Sequence, residues 1–186
     1  ILHCWNPAFR RVPIEARTAR PSPPLGRVAC MYSGGVDSIH ALWNHADRVT
    51  DAVFVGGFDF DMEDQALALA AARNERMARR FGKPLLTLHS NQRNWGAATG
   101  VARNFWNSGY LAAASLFLRF DEVLLPGSYS YAHLNPTGSH PLLDPLWSNG
   151  ATRYRHVDAR FGRSEKLARI AGTGKVLEDL HVCWYH

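Results

Sequence analysis

The residues best placed to do chemistry form one unbroken string, Ser33-Gly34-Gly35-Val36-Asp37-Ser38. Two adjacent glycines let a backbone turn tightly and approach a ligand with no Cβ in the way. If a helix begins there, the amides of Gly35 to Ser38 point outward, where the helix dipole favours negative charge. Ser33 and Ser38 add hydroxyl donors, and the string reads as an anion cradle. Asp37 is its odd member. A carboxylate beside a phosphate is repelled unless a cation lies between them, so Asp37 calls for a magnesium ion bridging carboxylate and phosphates. Neither GxxxxGK[ST] nor GxGxxG occurs, so this is not a Walker loop or a dinucleotide fingerprint.

Other candidates lie in later loops. Gly56-Gly57-Phe58-Asp59 offers a close backbone approach to a flat ring. In His89 to Trp95, Arg93 could grip a phosphate or an acidic substrate by a two-pronged contact. Residues 126–149 form a long polar stretch carrying Ser128, Tyr129, Ser130 and Tyr131, then His140 and Asp144 between rigid prolines. Such a stretch is too long and too aromatic for a mere connector. Its hydroxyls and rings suit a small polar substrate, and His140 or Asp144 could be a general base or a metal ligand. Arg163 and Lys166 share a helix face near its N-terminus, where the dipole disfavours cations. That placement hints at an anionic ligand. His40, Trp43 and His45 read as packing or surface residues, and Cys30 and Cys183 as core.

These residues need a scaffold, and the apolar pattern supplies one. Val28–Tyr32, Asp51–Val55, Pro84–Leu88, Val123–Leu125 and Tyr154–Val157 read as strands, with a sixth apolar run at Leu180–Trp184. Between them fall helical stretches over 36–45, from an Asp61 cap with Asp64 at N3 to Arg80, from an Asn107 or Ser108 cap to Arg119, and over 164–171. Short continuous apolar strands alternating with helices predict an α/β fold, a doubly wound and mainly parallel five-stranded sheet covered on both faces. Ligands then sit outside the carboxyl ends of the strands. Residues 1–26, with Pro21-Ser22-Pro23-Pro24, read as an irregular lead-in that packs on the 27–186 domain, with 12–16 a possible edge strand.

The chain has 186 residues, 46% hydrophobic and 20% charged, which fits one ordinary domain and excludes a disordered tail. No apolar run approaches the roughly 18 residues of a membrane span. Three cysteines without CxxC exclude a disulfide scaffold or a zinc knuckle. No leader precedes the first strand, so a cytoplasmic protein is expected. The chain starts at Ile1 and stops just past an apolar run, like a domain cut from a longer product. The net charge of +5 comes from 18 Arg and only 3 Lys against 16 acidic residues, and permits phosphate-bearing partners from ATP to RNA.

The string Ser33 to Ser38, between a strand and a helix, resembles the SGGxDS signature of the PP-loop (N-type) ATP pyrophosphatases, in the adenine nucleotide alpha hydrolase-like superfamily. That family includes asparagine, argininosuccinate, GMP and NAD synthetases, deazaguanine synthase and tRNA-thiolating enzymes. The strings Leu125 to Tyr131 and Gly138 to Ser148 look like an uncharacterised bacterial branch of it, in which a Cys-rich, metal-binding segment tends to follow the position of Cys183-Trp184. The resemblance implies ATP and Mg2+ as cofactors and cleavage of ATP to AMP and pyrophosphate. A carboxylate or carbonyl oxygen is adenylylated and then attacked by an amine or ammonia, from a possible separate donor. It implies nucleotide contacts from Tyr32, Ser33, Gly34, Gly35, Val36, Asp37, Ser38, Gly57 and Phe58, with Asp37 on the metal. It further implies Arg163 or Lys166 on the leaving pyrophosphate; Arg93, Ser128, Tyr129, Ser130, His140 and Asp144 are expected on the acceptor side from their own chemistry. A homodimer is compatible with it. Two rivals are an RNA-base-modifying enzyme whose arginines serve the nucleic-acid backbone, and an ATP-binding module without catalysis.

Overall fold

The computed structural model describes residues 1–15, 23–58, 65–174 and 179–180, without the side chains of Arg93, Trp95, Ala97 and Arg103. In chain order its elements are α1 (Leu2–Trp5), β1 (Val28–Met31), α2 (Val36–Asn44), β2 (Asp51–Gly56), α3 (Gln65–Arg80) and β3 (Leu85–His89). Then follow α4 (Gln92–Ala98), α5 (Asn107–Ser115), β4 (Glu122–Pro126), β5 (Arg153–Val157) and α6 (Arg163–Ala171). All five strands are parallel, in the order β3-β2-β1-β4-β5. This is the doubly wound α/β sheet that the alternating apolar runs predict.

Both sheet faces are buried, and period-two alternation divides the strand residues between them. Cys30, Tyr32, Ala52 and Leu124 face α2, α3 and α6, packing on Ile39, Leu42, Met77 and Ile170. Ala29, Met31, Val53, Val55, Val123 and Leu125 face α5 and pack on Tyr110 and Ala112. Burial raises the Cys30 thiol pKa far above its ordinary value, so Cys30 is inert core. No helix among the described residues is long and apolar enough to cross a membrane.

Several local expectations need correction. Residues 12–15 form no strand, and Val12 and Ile14 are exposed; Pro13 removes a ladder donor there. The lead-in does touch the domain, with Trp5 edge-on to His140 at 4.9 Å, Phe9 beside Phe105 at 5.5 Å, and the Leu25 and Arg27 amides donating to Asp121. The stretch around Arg93 is helix α4 rather than open loop. α5 ends at Ser115 and passes into a 3₁₀ turn over Leu116–Leu118, where Arg119 adopts φ +53°. Its N-cap is Trp106; Ser108 instead donates to the Gly138 carbonyl. The Asp61 cap and residues 181–186 lie outside the described residues.

Beyond β5, Asp158 takes a left-handed φ of +64°. Its carboxylate accepts from His40 Nδ1 (2.7 Å), Asn44 Nδ2 (2.9 Å) and His45 Nε2 (3.1 Å). His40 and His45 are therefore structural, as their spacing suggests. The clamp ties α2 to the loop that leads into α6. Those hydrogen bonds outweigh burial and hold the Asp158 pKa well below the usual carboxylate range.

Candidate functional site

β1 lies between β2 and β4, so the chain leaves the sheet in opposite directions on its two sides. A crevice opens at such a switch point, outside the carboxyl ends. Here it is a cavity of about 230 Å³. Its apolar lining comes from Met31, Val53, Val55, Phe58, Leu111 and Pro126, and its polar lining from Ser33, Asp37, Asn107, Ser128, Ser139 and Arg163. Phe58 stacks on Tyr110 of α5, with centroids 5.0 Å apart and planes 12° apart. A ring-sized apolar end thus adjoins a polar end.

The polar end is the string 33–38. β1 ends at Met31 and α2 begins at Val36, so the string spans the strand-to-helix turn, with Gly35 as N-cap. The first helical bond runs from the Ile39 amide to the Gly35 carbonyl at 3.0 Å. The amides of Val36, Asp37 and Ser38 therefore have no intrahelical acceptor. Ser38 Oγ donates to the Gly35 carbonyl (2.9 Å) and accepts from the Ser33 amide (3.2 Å). Its only proton is thus committed to the loop, so the Ser38 hydroxyl shapes the cradle, while Ser38 itself stays on the cavity wall with its amide free of an intrahelical acceptor. Tyr32 packs in the core and also borders the cavity, as expected of it.

Asp37 is held by two cations. Lys166 Nζ donates to Oδ1 and Arg163 to Oδ2, each at 2.9 Å. This explains two cations in the first turn of α6, where the dipole opposes them; Glu165 caps that helix by accepting from the Gly162 amide at 3.1 Å. The pair is not equivalent. The Lys166 side chain is 0% exposed and also donates to the Gly127 carbonyl, so it joins α6 to the end of β4. Arg163 is 57% exposed and stands on the cavity wall. Two cations against one carboxylate leave this end of the cavity net positive.

Asp144 and His140 lie behind the wall, not on it. Asp144 is fully buried and accepts from Ser139 Oγ (3.2 Å), the His140 amide (3.1 Å) and His156 Nδ1 (2.7 Å). His140 Nδ1 accepts from the Leu142 amide at 3.1 Å. Burial first, then neighbouring His156, lower the His140 pKa, against the opposing pull of Asp144. These groups fix the segment that carries Ser139. A Cβ at Gly138 would overlap the Phe105 backbone, and one at Gly127 would overlap His156 Nε2. Only glycine fits at either position.

Of the other expected residues, Gly35, Val36, Phe58 and Ser128 line the cavity, whereas Gly34, Gly57, Tyr129 and Ser130 do not. Gly56 faces Leu67 of α3, so it serves helix packing rather than a ring. The Arg93 side chain lies outside the described residues. Sequence reasoning missed Val53, Val55, Asn107, Leu111 and Ser139 as wall residues. Val53 and Val55 alternate at the carboxyl end of β2, a signal that could have found them. Asn107 and Ser139 carry no local signal.

The chain matches no family model and no curated protein.

Proposed function

We propose that the chain binds Mg-ATP in the switch-point crevice and cleaves it between the α and β phosphates, as the resemblance to PP-loop pyrophosphatases implies. The observation that carries this reading is the cradle 33–38, opening beside an apolar slot, with net positive charge at its mouth. Adenine fits between Val53, Val55 and Phe58, and the pyrophosphate portion fits the free amides of Val36, Asp37 and Ser38. The donor set fits magnesium as phosphate sites usually do, with one carboxylate, Asp37, and phosphate oxygens completing the shell. Among the described residues no cluster of three or more His, Cys, Asp or Glu offers a protein-only cage. When bound, magnesium supplies charge neutralisation between Asp37 and the phosphates.

The chain's own residues then divide the work. A carboxylate or carbonyl oxygen of the acceptor attacks the α phosphorus, the bond to the β-phosphate oxygen breaks, and pyrophosphate leaves with the electron pair. Arg163, which is exposed, turns from Asp37 to the leaving phosphates, whose charge is greatest in the transition state. Lys166 stays buried and holds Asp37 and Gly127 in place. Ser128, Ser139 and Asn107 present polar groups to the acceptor, and an amine or ammonia displaces AMP. Calorimetry with Mg-ATP, followed by product analysis with a panel of carboxylic acids and ammonium, tests the reading. AMP and pyrophosphate are expected; ADP and phosphate, or no binding, would overturn it.

One observation favours a second reading, a binding module without catalysis. Both Asp37 oxygens already serve a structural pair with Lys166 and Arg163, so a carboxylate in the cradle does not by itself demand a metal. Tight ATP binding with no turnover over the whole panel would select it.

A further inference from the structure

A polar side chain stands unpaired behind the cradle. Asn74, on the inner side of α3, is 0% exposed, and among the described residues neither its Oδ1 nor its Nδ2 has a hydrogen-bond partner. The carboxamide faces the cradle directly, since a Cβ at Gly34 would overlap Asn74 Oδ1. The Tyr32 hydroxyl, two residues before Gly34, is also buried and has no hydrogen-bond partner among the described residues, and burial raises its pKa far above the ordinary value. Buried polar groups are otherwise hydrogen-bonded, and an unsatisfied carboxamide costs stability. An apolar residue of the same size would pack here without that cost. Asn74 is not on the cavity wall; it meets the backbone at Gly34, whose neighbour Gly35 is on that wall.

That backbone is what Asn74 can serve. Gly34 has a φ of +78° and no Cβ, so the peptide joining it to Gly35 can turn at little steric cost. This peptide carries the Gly35 N–H on one side and the Gly34 carbonyl on the other. Turning the N–H toward an anion in the cavity sends the carbonyl to the protein side, where Asn74 Nδ2 can donate to it. We propose that Asn74 is a positioning residue of the cradle. When the pyrophosphate portion of a nucleoside triphosphate docks, the Gly34–Gly35 peptide rotates, its N–H meets a phosphate oxygen, and its carbonyl pairs with Asn74. The bound conformation thus gains an internal hydrogen bond that the conformation described here lacks, and anion binding is coupled to it. The proposal rests on the assignment of the phosphates to residues 33–38.

The test compares the parent with Asn74→Leu, which keeps the size and removes the polar atoms, and with Asn74→Ser. Calorimetry measures affinity for Mg-ATP, inorganic pyrophosphate and AMP, and thermal melting is recorded without nucleotide. For Asn74→Leu, affinity for Mg-ATP and pyrophosphate falls at least tenfold and that for AMP stays within twofold. Its nucleotide-free melting temperature equals or exceeds the parent's. Asn74→Ser, with a shorter donor, also loses affinity for both. Parental affinity for Mg-ATP in either variant overturns the proposal, as does an equal fall for AMP, which marks general damage. A lower melting temperature for Asn74→Leu with parental affinity in Asn74→Ser makes the residue purely structural. A parent that binds neither Mg-ATP nor pyrophosphate overturns the nucleotide reading itself, and this proposal with it.

Discussion

Asp37 and its two cations set the expectations at the residue scale. Because an asparagine can end a helix well, the sequence suggests that Asp37→Asn keeps the fold. The buried ammonium of Lys166 changes that expectation. Removing one partner of a buried ion pair leaves an uncompensated charge and costs about 3 kcal/mol or more. Asp37→Asn should therefore lower stability by that order in urea denaturation, whereas Lys166→Met, which removes the buried charge itself, should lower it less. If Asp37→Asn melts like the parent, the pair does not hold the site together. Arg163→Ala tests the other half. It should slow pyrophosphate release at saturating ATP by about tenfold or more and leave ATP affinity nearly unchanged. Equal turnover would move the role to another cation, such as Arg93. The strand-to-helix turn over 33–38 was legible, since its six residues are contiguous and their signals are local. The split between Lys166 and Arg163 was not, because it depends on which side chain the Gly127 carbonyl draws inward.

At the scale of elements, the strands and most helices were legible because each buried run carries its own apolar signature. The misreadings fall where long-range contacts decide. α4 forms although it contains a glycine, with Gly96 packed against the Trp106 ring, and residues 12–15 stay irregular although Val12 and Ile14 are apolar. His140 and Asp144 looked like site groups because nothing local shows that Asp144 meets His156 on β5. The segment they support should tolerate little. Gly138→Ala forces a methyl into the Phe105 backbone and should cost about 2 kcal/mol, read by urea denaturation; an unchanged midpoint would mean that this wall is loose. The clamp on α2 gives an acid-dependent expectation. Asp158 has a folded pKa below its ordinary value of 3.8. Its contribution is therefore complete above that value and is lost as pH falls below it, while the folded group still resists protonation. Melting temperature should drop steeply below about pH 4, and Asp158→Asn, which tolerates the left-handed turn, should flatten that slope.

For the whole molecule, the site draws on the beginning, the middle and the end of the described chain, through residues 33–38, 126–128 and 163–166. Mg-ATP at about one hundred times its dissociation constant should stabilise the fold by ~2.7 kcal/mol. Amide-exchange protection should appear together in those three segments; protection confined to 33–38 would mean that α6 does not take part. The sheet order carries a further consequence. β1 is buried on both faces, and Val28, Ala29 and Cys30 reach their second neighbour only when Glu122 to Leu124 arrive beside them. Until β4 is made, a growing or proteolytically shortened chain that ends before Glu122 carries its most apolar strand with one side unpaired. Such a fragment is a template for another copy, so the risk of aggregation lasts until β4 docks beside β1.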